Sequence, residues 1–224
     1  LPSIKKLIYS CQVGVSAFVG EISSGVITVT FNMIILNLAG NTGVAAYGVV
    51  ANTSLVAVAL FNGIAQGSQP LISRSYGRGE EQNVRSLLKM ALTTALGLGV
   101  LLMIFIFFSA PAVTAVFNSE HDLQLAAYAD SGLRLYFIGF LFAGINIVGT
   151  AALSAVESVK YAFCASISRG FVATIFFAFV LSACFKMTGI WLAFPAAEFA
   201  TMFITLSGLL CFTKQKGGMY HAKK

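Results

Sequence analysis

Long apolar runs separated by short polar clusters set the character of this chain. A helix needs about twenty apolar residues to cross the ~30 Å hydrocarbon core of a bilayer. Six segments reach that length: 9–38, 44–72, 90–117, 132–156, 161–184 and 188–212. The third, "MALTTALGLGVLLMIFIFFSAPAVTAVF", holds no ionisable side chain, and Pro111 predicts a kink or an end near its outer face. The pattern predicts one all-α integral membrane unit over residues 1–224, with six transmembrane helices. Two connections carry local signals. "RSYGRGEEQNVRSLLK" predicts a turn at Gly77 and Gly79, then a helix opening on Glu80 and Glu81, with Glu81 and Arg85 spaced to pair. "NSEHDLQLAAYADSGLRL" predicts a short interfacial helix leading into the fourth span, with Ser119 as its N-cap and Asp122 three residues later.

Composition agrees with the pattern. The chain is 58% hydrophobic and 10% charged, with a mean hydropathy of +0.86. A soluble domain carries roughly a quarter charged residues. Twenty Phe beside a single Trp fit packed helices better than a barrel with aromatic girdles. The net charge of +6 does not indicate nucleic acid, because the basic residues sit at the ends of apolar runs. With the N-terminus inside, Lys5, Lys6, Arg74, Arg78, Arg85, Lys89, Lys160, Arg169, Lys214, Lys216, Lys223 and Lys224 fall on the inner side, and Arg134 and Lys186 on the outer. That asymmetry predicts a multi-pass protein of the inner (plasma) membrane with both termini cytoplasmic. The four cysteines lack CxxC spacing and only two His are present, so no metal site is expected and the thiols read as free and packed. No signal peptide is legible, and the start at Leu1 reads as a fragment of a longer chain.

Ionisable groups inside a bilayer are costly and point to function. Glu21, with no Lys or Arg within ten residues, lies about 12 Å inside the first run. Ser24, Gly25, Thr28 and Asn32 continue a polar or small stripe along its helical face. Glu198 lies at comparable depth in the last run, three residues after Pro195, which frees the carbonyl at position 191. Arg169 reads as snorkelling to the inner face, with pairing to one of the two glutamates as the alternative. In the second run Asn62, Gln66 and Gln69 share a face, while Asn146 in the fourth sits among Ala143, Gly144 and Gly149. Each of these amides alone reads as packing glue. Together with Glu21, Thr28, Asn32 and Glu198 they outline a partly polar interior, as a substrate- or ion-binding lobe would have.

Residues 18–92, opening "FVGEISSGVITVTFN" and containing "GSQP" followed by "YG", resemble the seventh and eighth helices of the multidrug and toxic compound extrusion (MATE) transporters, the bacterial branch most closely. "GFLFAGINIVGTAALSAVES" and "GIWLAFPAAEFATMFI" are similar to that branch's tenth and twelfth helices. The resemblance implies the C-terminal lobe of a twelve-helix, two-lobe antiporter, its N-terminal lobe missing from this chain. Such proteins export cationic or amphipathic small molecules against H⁺ or Na⁺ entry, with no other cofactor. Glu21 matches the family's seventh-helix acid, implicated in cation coupling and substrate recognition. The tenth-helix stretch here, "FAGINIV", lacks the acid that some members carry. A lipid-linked precursor flippase of the same superfamily and a self-sufficient six-helix substrate-binding subunit are the competing readings. An intramembrane enzyme is disfavoured, since His121 falls at the outer surface and His221 in the tail.

Overall fold

The computed structural model describes the backbone over residues 4–221 and the side chains of residues 25–158 and 160–212. It is helical throughout, with no strand among the described residues. The elements are α1 (Ile4–Gly77), α2 (Glu81–Phe117), α3 (Leu123–Tyr136), a 3₁₀ turn (Phe137–Gly139), α4 (Phe140–Ala155), α5 (Val159–Ile167), a π-turn (Ser168–Val172) and α6 (Ala173–His221). Four stretches among the described residues are long and apolar enough to cross a membrane: Gly25–Gly77, Glu81–Phe117, Leu123–Ala155 and Lys160–Phe212.

Two of these stretches fold back on themselves. In α1 the break is Gly40, at φ 64° and ψ −159°, a conformation that glycine reaches without steric cost. Phe31 and Tyr47 lie on either side of it, with ring centroids 5.5 Å apart. In an unbroken helix sixteen residues would separate them by about 24 Å. In α6 the break is Lys186, at φ 52° and ψ −127°. There the chain turns so sharply that the position a Cβ would take on Gly189 is filled by the Leu181 carbonyl oxygen. Met187 approaches Gly43, so both reversals lie at one end of the bundle. Ile72, Val84, Leu88, Val156 and Leu209 form a second apolar cluster near the connections at 78–80 and 156–158, and Tyr76 meets Phe212 beside it at 6.0 Å.

The main core runs between these ends. Phe31, Phe61, Phe137, Phe140 and Trp191 are all at most 1% exposed within it. Outward-facing side chains are also apolar: Leu55, Leu101, Phe108, Val116 and Phe176 are each more than half exposed. In water such a surface would drive association; in hydrocarbon it is the expected solvent face.

The structure revises several local expectations. α2 runs past Pro111 to Phe117 rather than ending near it. Asp122, not Ser119, caps α3, accepting from the backbone N–H groups of Gln124 at 2.7 Å and Leu125 at 3.2 Å. The Asn118 side chain clamps Asp122 through both its backbone N–H and its carbonyl, which leaves Ser119 and Glu120 in the turn itself. α3 does lead through the 3₁₀ turn into α4, as the sequence predicts, and the two together make up the apolar stretch Leu123–Ala155. Cys164 and Cys184 are free but exposed, and Cys211 is half-buried, so none of these three is packed inside. Arg78 approaches Glu80 at 3.9 Å on the surface, beside the turn that Gly79 makes at φ 74°.

Candidate functional site

The polar centre of the bundle lies where α4, the π-turn and α6 meet. Helix α6 continues through Pro195 and presents Glu198, Thr201 and Thr205 on one face, at i, i+3 and i+7. Helix α4 brings Asn146 opposite them, and its small residues allow the approach. The Cβ position of Gly149 is occupied by the Thr205 methyl group, and that of Gly139 would meet Pro195 Cα at 3.1 Å. A larger side chain at either position would hold the helices apart.

Asn146 is fully buried and uses its whole amide. Its Nδ2 donates to the Glu198 backbone carbonyl at 2.8 Å and to Glu198 Oε2 at 2.7 Å. Its Oδ1 accepts from Thr205 Oγ1 at 2.9 Å. Glu198 Oε1 accepts from Arg169 Nε at 3.0 Å, forming an ion pair. The Glu198 side chain is 3% exposed and that of Arg169 25%. One residue earlier in the π-turn, Ser168 meets Thr201 at 3.0 Å. Thr174 Oγ1 donates to the Arg169 carbonyl at 2.5 Å, satisfying a group on the widened turn. Single π-turns inside helices recur at functional sites because the extra residue redirects side chains. Here Ser168 and Arg169 are both engaged with α6.

Arg169 begins ten residues after the start of α5, roughly 15 Å along the axis. It therefore does not snorkel to the inner face: the pairing alternative holds, with Glu198 as partner. A charge placed at that depth is stabilised by an opposite charge in hydrogen-bond contact far more than by reaching through hydrocarbon. An aromatic patch flanks the network. Phe142, one turn before Asn146, packs on Phe199 at 5.1 Å, and Phe199 on Phe203 at 5.0 Å.

Of the residues expected to form a site, Asn146 and Glu198 are brought into direct contact. Thr28, Asn62 and Gln66 stand exposed and Asn32 half-buried, all on α1. Asn62 and Gln66 are not part of the Asn146–Glu198 network. Glu21 lies in α1, and its side chain, like that of Ser24, is outside the described residues. Sequence reasoning missed Thr201, Thr205 and Ser168. The spacing of the two threonines from Glu198 was the available signal.

A family model described as MatE matches residues 17–180. Among solved structures, the inward-facing conformation of a multidrug resistance MATE family transporter of the MOP superfamily superposes with a TM-score of 0.88 at 18% identity, covering 97% of this chain and 50% of that one. The outward-facing conformation gives 0.86 at 17% identity, with 97% and 49% covered. The chain thus spans about half the length of the structures it matches, and at this identity the likeness speaks for the fold alone. No curated protein sequence matches the chain.

Proposed function

The chain belongs to the MatE family of membrane transporters, and we propose that it forms one six-span lobe of a two-lobe exporter of cationic or amphipathic small molecules, driven by H⁺ or Na⁺. The six spans follow if the reversals at Gly40 and Lys186 are hairpins between membrane-crossing segments, and the asymmetry of Lys and Arg then puts both termini in the cytoplasm of a plasma-membrane protein. The observation that carries the functional reading is the Arg169–Glu198–Asn146 network, buried at mid-depth and joining three elements.

Such a network is a two-state element. While Glu198 is ionised it holds Arg169 and the π-turn against α6. Were Glu198 neutral, Arg169 would lose its counter-charge, at a cost of about 1–3 kcal/mol for a side chain that is 25% exposed. The turn then has a different preferred position against α6, and a protonation event becomes movement of the lobe. Glu21, with Thr28 and Asn32 along its stripe, supplies the second proton- or cation-accepting group, and Asn62 and Gln66 face the substrate path. The test is efflux of a cationic dye from cells carrying the complete transporter. Glu21→Gln and Glu198→Gln should each lower efflux at least tenfold with membrane insertion unchanged. Wild-type efflux in both variants sinks the assignment.

A further inference from the structure

The two charges of the buried pair are not equally available. Both Glu198 carboxylate oxygens are engaged, one by Arg169 and one by Asn146, and the side chain is 3% exposed. Arg169 is 25% exposed and, among the described residues, commits only Nε. A guanidinium carries five N–H donors in a planar fork; the four on its terminal nitrogens have no acceptor among the described residues. An approaching molecule thus meets a cationic edge, with the carboxylate closed behind it.

Resting on the reading of this lobe as part of an exporter, we propose that Arg169 is the specificity-determining residue for an oxyanion, a carboxylate or phosphate, carried by an amphipathic ligand. The free fork matches such a group in a bidentate arrangement. The half-buried ring of Phe142, on α4 with Asn146, and the exposed rings of Phe199 and Phe203, on α6 with Glu198, offer a surface for the ligand's apolar part. The pair with Glu198 fixes the fork's orientation, so little rotamer freedom is lost on binding. A purely cationic ligand gains nothing here, because the network's carboxylate is 3% exposed and already paired with Arg169. The same chemistry serves a free amphipathic acid or an anionic lipid headgroup.

The experiment compares two probes that differ in one group. Tetramethylrhodamine carries a free carboxylate, and its methyl ester does not. Binding of each to the complete transporter in phosphatidylcholine nanodiscs is read by fluorescence polarisation. The acid should bind about tenfold or more tightly than the ester, the discrimination expected of a charged hydrogen-bonding partner. Arg169→Lys keeps a cation for Glu198 but has no second edge. It should bring the ratio of acid to ester affinity close to one, whatever it does to the affinity for each. Equal binding of acid and ester to the wild type, or a preference that survives Arg169→Lys, overturns the inference and leaves the exporter reading intact. Binding of neither dye overturns both. With phosphatidylglycerol added to the nanodiscs, displacement of the acid assigns the oxyanion to lipid, and unchanged binding assigns it to a free ligand.

Discussion

Removing one member of the Arg169–Glu198 pair should cost far more than removing both. Arg169→Met keeps the apolar stem but leaves a carboxylate that is 3% exposed with only the Asn146 amide against it. Breaking a buried pair from one side costs about 3–5 kcal/mol. Glu198→Gln leaves Arg169 facing a neutral amide, and the new side chain cannot accept from both Arg169 and Asn146 with one oxygen. Because Arg169 is 25% exposed, part of its charge is relieved by whatever polar medium reaches it, so this loss is smaller, about 1–3 kcal/mol. In the double variant the glutamine oxygen accepts from Asn146, its amino group faces a thioether, and no charge remains; stability should return to within about 1 kcal/mol of wild type. The coupling energy is then about 3–8 kcal/mol. If hydrogen bonding alone mattered, interhelical bonds in membranes average only about 0.6 kcal/mol. The assay is equilibrium unfolding of the purified protein in mixed micelles by added dodecyl sulfate, followed by helical circular dichroism. Single-variant costs that add to the double-variant cost within about 0.5 kcal/mol would refute the claim that charge compensation holds α6 to the π-turn.

The helix contacts make further predictions. Gly149→Ala sets a methyl group against the Thr205 methyl and should destabilise by about 1–3 kcal/mol; Thr205→Ser in the same chain removes the obstacle, keeps the hydroxyl on Asn146 and should restore the unfolding midpoint. No recovery would show that the obstruction lies elsewhere. Gly189→Ala has no such rescue, because its Cβ would fall on the Leu181 backbone carbonyl. It should abolish the monodisperse peak in fluorescence-detected size-exclusion chromatography, and a wild-type profile would disprove the tight reversal at Lys186. Thr114 Oγ1 donates to Asp130 Oδ1 at 2.5 Å and ties the end of α2 to α3. Thr114→Val should cost about 1.5–3 kcal/mol, the range for a bond to a charged acceptor, while Thr114→Ser should be near neutral in the same unfolding assay.

Apolar run length was sufficient to find the membrane-crossing material, because the bilayer allows only backbone that satisfies its own hydrogen bonds. The breaks at Gly40 and Lys186 fall in the connections left between the runs, 39–43 and 185–187. Their geometry was less legible: a positive φ suits Gly40, but at Lys186 it is unusual for an unbranched basic side chain, and no local residue type announces it. The cap of α3 was misassigned for a similar reason: Ser119 and Asp122 are both good caps, and the Asn118 clamp on Asp122 decides between them. Asn146 and Glu198 could each be singled out as intramembrane polar groups. Their contact spans 52 residues of sequence, and no local pattern encodes it. Arg169 was misjudged because its partner Glu198 lies 29 residues away on α6, and nothing local to 161–184 announces that pairing.

The polar residues of this lobe fall into two groups with opposite accessibility, and that division bears on mechanism. Asn146, Glu198 and Thr205 satisfy one another and are closed. Asn62 and Gln66 stand exposed on α1, interleaved with exposed Gly63 and Gly67. An amide facing hydrocarbon without a partner costs several kcal/mol, so this face of α1 calls for a polar neighbour or a water-filled cavity. In a two-lobe exporter that neighbour is the other half of the molecule and the substrate path between them. On the reading proposed above, the closed group would be the element that changes state and the open group the surface that meets the ligand. Arg169 belongs to both, with Nε in the network and its remaining edge outside it. On the proposed reading, a ligand oxyanion on that edge would sit on the same guanidinium that Glu198 holds through Nε, so ligand binding would act directly on the residue that anchors the network.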